Sequence, residues 1–243
     1  MTGQILVVGE TCLDIFVYCH ALRLAPDIPV PVLQISKTTE NPGMAMNVQR
    51  NIAKLVPDCQ LVTNPEWRTV TKTRYMHENT NHMFVRVDTS HEIPRVDVKT
   101  IDLDYEIVVI SDYNKGFLTE EDIQFICENH PKVFLDTKKR LGEWANKAKY
   151  IKINDYEFRR SLPYMNPILE EKIIHTTGAG GCVFKGKNYP VEKVEVVDTS
   201  GAGDTFISAL TAKYLESSDI DESIKFANLC ASDVVKRRGV STL

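Results

Sequence analysis

The sequence has no apolar run approaching the roughly 18 residues that suggest a membrane-spanning helix. Its start, Met1-Thr2-Gly3-Gln4 ahead of Ile5-Leu6-Val7-Val8, lacks the basic stretch and cleavage site of a secretory leader. A cytoplasmic protein with no membrane partner is expected. There is no basic excess either: 29 Lys and Arg stand against 33 Asp and Glu, a net charge of -4, so nucleic acid is not the expected partner. The six cysteines (Cys12, Cys19, Cys59, Cys127, Cys182, Cys230) include no Cys-x-x-Cys pair and read as reduced structural thiols. The six histidines show no His-Glu-x-x-His spacing, so no structural zinc site is indicated. A Gly-Lys-Ser/Thr phosphate loop is missing, and the first apolar run leads into Gly9-Glu10-Thr11-Cys12 instead of Gly-x-Gly-x-x-Gly, which disfavours hydride transfer. Internal repeats and low-complexity tracts are absent.

What remains is a chain of ordinary globular composition, 43% hydrophobic and 26% charged over 243 residues. That length suits one large domain or one domain with a small appendage. Ile5 to Val8, Ile107 to Ile110, Val133 to Leu135 and Ile151 to Ile153 read as buried strands, and 119–129 and 154–161 as amphipathic helices, an alternation that predicts a parallel α/β sheet. The runs end in Gly9-Glu10, Ser111-Asp112, Asp136 and Asn154-Asp155, which should share the carboxyl edge where such sheets bind ligands. Between the first strand and residue 90, Asp14 to His20, Pro29 to Ser36, Val70 to His77 and His82 to Asp88 look like β segments, interrupted by a helix from Met44 to Val56. They predict a small β lid on a larger α/β body.

The strongest chemical pattern is Asp198-Thr199-Ser200-Gly201-Ala202-Gly203-Asp204-Thr205-Phe206, after a strand-like Val194 to Val197 and before a helix with an apolar stripe of Phe206, Ala209, Leu210 and Tyr214. Glycines at a helix mouth let amides approach an anion while the helix dipole adds positive potential. Gly201, Ala202 and Gly203 would form that anion hole. Asp204 lies inside the first turn, where a carboxylate either accepts a proton from an attacking hydroxyl or simply favours the helix N-terminus.

Asp198 to Phe206 resembles the C-terminal signature of the PfkB, or ribokinase-like, carbohydrate kinases, in which the last Asp is the catalytic base. Further matches follow in the family's order: Gly9-Glu10-Thr11-Cys12-Leu13-Asp14, Asn41-Pro42-Gly43-Met44-Ala45-Met46-Asn47, Asn154-Asp155-Tyr156-Glu157 and Thr176-Thr177-Gly178-Ala179-Gly180-Gly181. Within the family, Ser111-Asp112-Tyr113-Asn114-Lys115-Gly116, Arg86-Val87-Asp88, Phe226-Ala227-Asn228 and Gly239-Val240-Ser241-Thr242 look most like the bacterial heptose 7-phosphate kinases. The nucleotidyltransferase half often fused behind those kinases is not expected in a chain that stops at Leu243. The resemblance implies a ribokinase-like three-layer α/β/α body over residues 1–243, with a β lid from about 14–37 and 69–90, and ATP with Mg²⁺ as cofactors.

It also implies site roles. Asn154 and Glu157 would organise Mg²⁺ and its waters near the ATP phosphates, or else be an N-capping Asn with an exposed Glu. Asp14, Gly43 and Asn47 would meet the sugar, although the family has a second glycine where Met44 stands. Lys72, Arg74 and Arg86 alternate on lid strands and read either as a reader of a substrate phosphate or as a charged solvent face. Lys115 and Lys138 would contact substrate or ATP phosphates, unless they are ordinary surface lysines. Thr176, Gly178 and Gly181 belong to a loop like the family's nucleotide loop. Ala227, Asn228 and the Gly239-Val240 turn would line the adenine pocket, or Asn228 would bond internally.

The expected activity is ATP-dependent phosphorylation of a sugar or sugar phosphate, preferentially heptose 7-phosphate on its anomeric hydroxyl. The alternative is a catalytically weak nucleotide- or sugar-binding regulatory protein of the same fold. That alternative draws on a shortening after Val56, where the family continues through another strand and helix but Pro57 to Trp67 leads almost directly to the lid segment at Val70. A homodimer formed through the lid is also expected.

Overall fold

The computed structural model describes residues 3–80, 82–89, 93–237, 239 and 242–243. Alternation along the strands builds its layers. In β1 (Gly3–Gly9), Ile5 and Val7 face one core while Leu6 and Val8 face another; in β7 (Tyr105–Asp112), Ile107 and Val109 split from Val108 and Ile110 in the same way. A strand buried on both faces belongs to a sheet covered by helices on both sides. One side carries α1 (Ala45–Leu55), α5 (Ala202–Ser217) and α6 (Ile220–Val234). The other carries α2 (Glu120–Asn129), α3 (Asp155–Ser161) and α4 (Pro167–Glu170).

The body sheet has eight strands in the order β12-β11-β10-β9-β8-β7-β1-β4. The run from β10 (Ile173–Thr176) through β9 (Tyr150–Asn154), β8 (Val133–Thr137), β7 and β1 to β4 (Cys59–Val62) is parallel. The short β11 (Cys182–Phe184) and β12 (Lys187–Tyr189) add antiparallel pairs at the far edge. All four polar strand ends anticipated from the sequence therefore lie along one edge. A second sheet, β3-β2-β5-β6, is formed by β2 (Thr11–Leu24), β3 (Pro31–Met44), β5 (Thr71–His77) and β6 (Met83–Asp88). It is the lid.

Three local expectations are corrected. The strand thought missing after Val56 is present as β4, paired in parallel with β1 from Ile5–Cys59 to Val8–Val62. At four residues between Pro57 and Pro65 it has too little pattern to be seen alone, and pairing with β1 defines it. The route to the lid is closed by Asn64, which accepts from Thr11 N–H at 2.8 Å and donates to Thr11 C=O at 3.2 Å, a side chain standing in for a strand partner. Val194 to Val197 form no strand; Val197 and Asp198 amides both donate to the Val235 carbonyl, at 2.8 and 3.1 Å. Helix α5 is buried continuously from Asp204 to Ala212, because α1, α6 and the sheet enclose it.

Met44 sits at φ 61°, ψ −131°, backbone geometry suited to glycine, with its side chain 2% exposed in the core on the α2 side. Such a conformation costs about 1–3 kcal/mol.

Candidate active site

Helix α5 delivers the glycine-rich segment to the carboxyl edge of the sheet. Gly201 takes φ 83° as the N-cap, where a side chain is strained, and the first i to i−4 bond runs from Thr205 N–H to Gly201 O at 2.9 Å. The amides of Gly203 and Asp204 precede that bond, as an anion-binding first turn requires.

Asp204 is buried at this mouth. Its Oδ2 accepts from Asn47 Nδ2 at 2.8 Å and its Oδ1 from the Tyr113 hydroxyl at 2.6 Å. Burial raises its pKa above the usual aspartate value, against the opposing effect of those two donors and of Lys152. Burial and the Asp204 charge push the Tyr113 hydroxyl well up, so it remains a donor. Asn47 is itself tied down, since its carbonyl and Oδ1 accept from Asn51 Nδ2 at 2.8 and 3.3 Å. The 113–115 loop is shaped by Glu10, whose buried carboxylate accepts from the amides of Tyr113 and Lys115, both at 2.7 Å. Burial and then Asp112 raise the Glu10 pKa.

A row of alternating charges lies beside Asp204. Lys138 Nζ donates to Glu157 Oε1 at 2.5 Å and stands 3.6 Å from Asp136 Oδ1; Lys152 Nζ donates to Asp136 Oδ2 at 2.8 Å. Burial works against the Asp136 charge, but the two lysines outweigh it and hold its pKa below the usual range. Burial likewise works against the Lys138 charge, and Asp136 with Glu157 raises its pKa all the same. At the end of the row, a Cβ on Gly203 would lie 2.9 Å from Lys152 Nζ.

Asn154 and Glu157 form a capping box. Asn154 Oδ1 accepts from the Glu157 amide at 3.0 Å, and Glu157 Oε2 accepts from the Asn154 amide at 2.9 Å. The capping alternative thus describes part of their geometry, but Glu157 is 3% exposed, not solvent-facing. Among the described residues no three or more His, Cys, Asp or Glu side chains cluster to hold a metal. The donor set fits only an ion that keeps most of its water, as Mg²⁺ does.

On the lid, strand register puts Asp14 beside Lys72 and Phe16 beside Arg74, then Lys72 beside Asp88 and Arg74 beside Arg86, so these side chains share one face. Arg74 is ion-paired to Asp14 and lies 5.1 Å from the Phe16 ring centre. Arg86 binds Asp88 through two bonds of 2.9 and 3.0 Å. Lys72 has no carboxylate partner among the described residues; its ammonium lies 4.9 Å from the centre of the Tyr113 ring, which Lys138 approaches to 5.3 Å. Gly43 is packed so closely that a Cβ there would meet Asp14 Oδ2 at 2.1 Å.

The remaining anticipated residues are not joined to Asp204. The Lys115 side chain is exposed. Thr176 bonds the Ile153 carbonyl at 3.2 Å, Gly178 and Gly181 take φ 61° and 85° in the following turn, and Ala227 is fully buried on α6. Asn228 Nδ2 donates to the Tyr189 carbonyl at 2.9 Å, so its amide has the internal partner that the sequence left open. The Gly239 amide donates to Asp198 Oδ2 at 3.0 Å, which brings two distant motifs together. Val240 and Ser241 lie outside the described residues.

Sequence reasoning missed Tyr113, Glu10, Asp136 and Lys152 as site members. Lys152 carried a readable anomaly, a charge between Ile151 and Ile153 in a strand buried on both faces. Tyr113 sat unassigned inside a matched motif.

The model of the pfkB family carbohydrate kinases matches residues 106–243. The bifunctional protein HldE of Helicobacter pylori (strain Shi470) is 31% identical over 296 aligned positions, covering 97% of this chain and 63% of that protein. HldE of Aliivibrio fischeri (strain ATCC 700601 / ES114) is 29% identical over 297, covering 99% and 62%. The chain thus spans a little over three-fifths of the length of these relatives, and the alignments exceed its 243 residues because the relatives carry segments it lacks. Among solved structures, a ribokinase from Thermotoga maritima superposes with a TM-score of 0.76 at 19% identity, covering 98% of this chain and 94% of that one. Escherichia coli phosphofructokinase-2 with potassium gives 0.72 at 17%, covering 99% and 94%. The fold is ribokinase-like, and the chain belongs to the pfkB family of carbohydrate kinases.

Proposed function

We propose that this protein transfers the γ-phosphoryl group of ATP to a hydroxyl of a sugar phosphate, with heptose 7-phosphate and its anomeric hydroxyl as the preferred acceptor. The observation that carries this reading is Asp204, a buried carboxylate with a raised pKa, fixed by Asn47 and Tyr113 at a helix mouth free of side chains at 201 and 203. Asp204 accepts the proton of the acceptor hydroxyl as its oxygen bonds to the γ-phosphorus and the bridging bond to ADP breaks in line. The amides after Gly201 receive the charge that develops on the phosphoryl oxygens.

Asp14, Gly43 and Asn47 shape the acceptor's hydroxyl contacts, and Lys72, Arg74 and Arg86 present a cationic lid face suited to a phosphate. Thr176, Gly178, Gly181, Ala227 and Asn228 form the nucleotide side. Glu157 and Asn154 would hold Mg²⁺ through water, and the ion when bound neutralises phosphate charge. The heptose preference rests on the 111–116 motif and on similarity to proteins named HldE.

A homodimer joined through the lids fits the exposed Ile35, Val85 and Val87 and the limited stability of a small open sheet. A coupled ADP-release assay over a panel of sugars and sugar phosphates tests the reading. Heptose 7-phosphate should give the highest kcat/KM, and no acceptor-dependent ADP release from any compound would overturn it.

A further inference from the structure

Lys152 is a cation built into the core. It is 3% exposed, on a strand covered on both faces, and its one hydrogen bond among the described residues goes to Asp136 Oδ2 at 2.8 Å. An ammonium group has three donors, so this bond leaves capacity unused. Its partner is also incompletely satisfied: Asp136 Oδ1 is buried with no hydrogen bond, Lys138 standing 3.6 Å away. A buried ion pair is weak support for stability, because desolvation offsets its attraction.

Its position is more telling. Lys152 Nζ lies against Gly203, where a Cβ would approach to 2.9 Å, in the first turn of α5. A cation at a helix N-terminus opposes the helix dipole. Here two positive poles, the ammonium and the amides ahead of Thr205, converge on one spot. Asp204 answers part of that charge but is committed to Asn47 and Tyr113. An incoming anion would satisfy both poles at once.

We infer that Lys152 is a further catalytic residue, whose ammonium donates to the transferring phosphoryl group, and that Asp136 is a positioning residue holding Lys152 and Lys138 on either side of it. This rests on the kinase reading above. Lys152 moves no proton in the step; it supplies fixed charge where negative charge develops. Gly203 is required there because any side chain would displace the ammonium.

The test uses the full chain as wild type, Lys152→Met, Lys152→Arg and the double variant Asp136→Asn/Lys152→Met, which removes both buried charges together. Transfer rate, calorimetric affinity for inorganic pyrophosphate and for adenosine, and melting temperature are measured for each. Lys152→Met and the double variant should lose about 10²-fold in transfer rate and bind pyrophosphate at least ten times more weakly, with adenosine affinity within twofold. Lys152→Arg should recover part of both losses. A folded double variant with wild-type rate and pyrophosphate affinity would overturn the assignment, as would a wild type that does not bind pyrophosphate. A wild type that binds pyrophosphate but phosphorylates no acceptor would defeat the kinase reading alone, and the pyrophosphate comparison would still decide on Lys152.

Discussion

The Tyr113 hydroxyl donates to Asp204 Oδ1 at 2.6 Å, joining the loop after β7 to the first turn of α5 across 91 residues of sequence. That bond stabilises the ionised carboxylate and so lowers its pKa, while burial raises it and prevails. Tyr113→Phe should therefore move the acid limb of kcat/KM to higher pH and leave the alkaline limb in place. A pH-rate profile checks it, and an unmoved acid limb would separate Tyr113 from the ionisation of Asp204.

Asp204→Asn should cut phosphoryl transfer by about 10²–10⁴-fold while nucleotide binding survives, because the amide keeps the shape but takes no proton. Turnover near the wild-type level would remove Asp204 from the mechanism.

The same variant makes an opposite prediction for stability. The folded-state pKa of Asp204 is raised, so the folded protein binds that proton more tightly than the unfolded chain, and wild-type stability falls as pH rises through the window above the ordinary aspartate value. Asp204→Asn removes this penalty. Its melting temperature should exceed that of wild type at neutral pH, with the gap closing near pH 4 and below. A gap independent of pH would assign the effect to packing.

Gly43→Ala places a methyl where Asp14 Oδ2 now lies, 2.1 Å from the new atom. The Asp14–Arg74 pair must shift, so the acceptor KM should rise at least tenfold with ATP affinity unchanged. An unaltered acceptor KM would detach Asp14 from sugar binding.

Of the three cations that share the lid face, Lys72 has no carboxylate partner among the described residues, unlike Arg74 and Arg86. Lys72→Met should weaken use of a phosphorylated sugar far more than use of its unphosphorylated analogue. Equal losses would point to lid stability. Light scattering of the wild type at micromolar concentration should give about twice the 27.5 kDa chain mass, and a fully active monomer would defeat the lid dimer.

The sequence by itself determined whatever is written in local pattern. Apolar runs placed β1, β7, β8 and β9, three- and four-residue spacing placed α2 and α3, and the glycines at 201 and 203 marked a helix mouth fit for an anion. Each of these depends on neighbours within a turn or a strand, where propensity and periodicity act. Pairing through space left no such trace. Val194 to Val197 carry a strand-like composition yet form no strand, the Val197 amide donating with that of Asp198 to the Val235 carbonyl, whereas β4, with little pattern, became a strand because β1 offered it a partner. Asn47 reaches Asp204 across 157 residues, and Lys152 reaches Asp136 between adjacent strands. Buried polar groups take whatever partner the packing brings within about 3 Å. The tertiary structure alone therefore decided which donors hold Asp204 and where the buried lysine points.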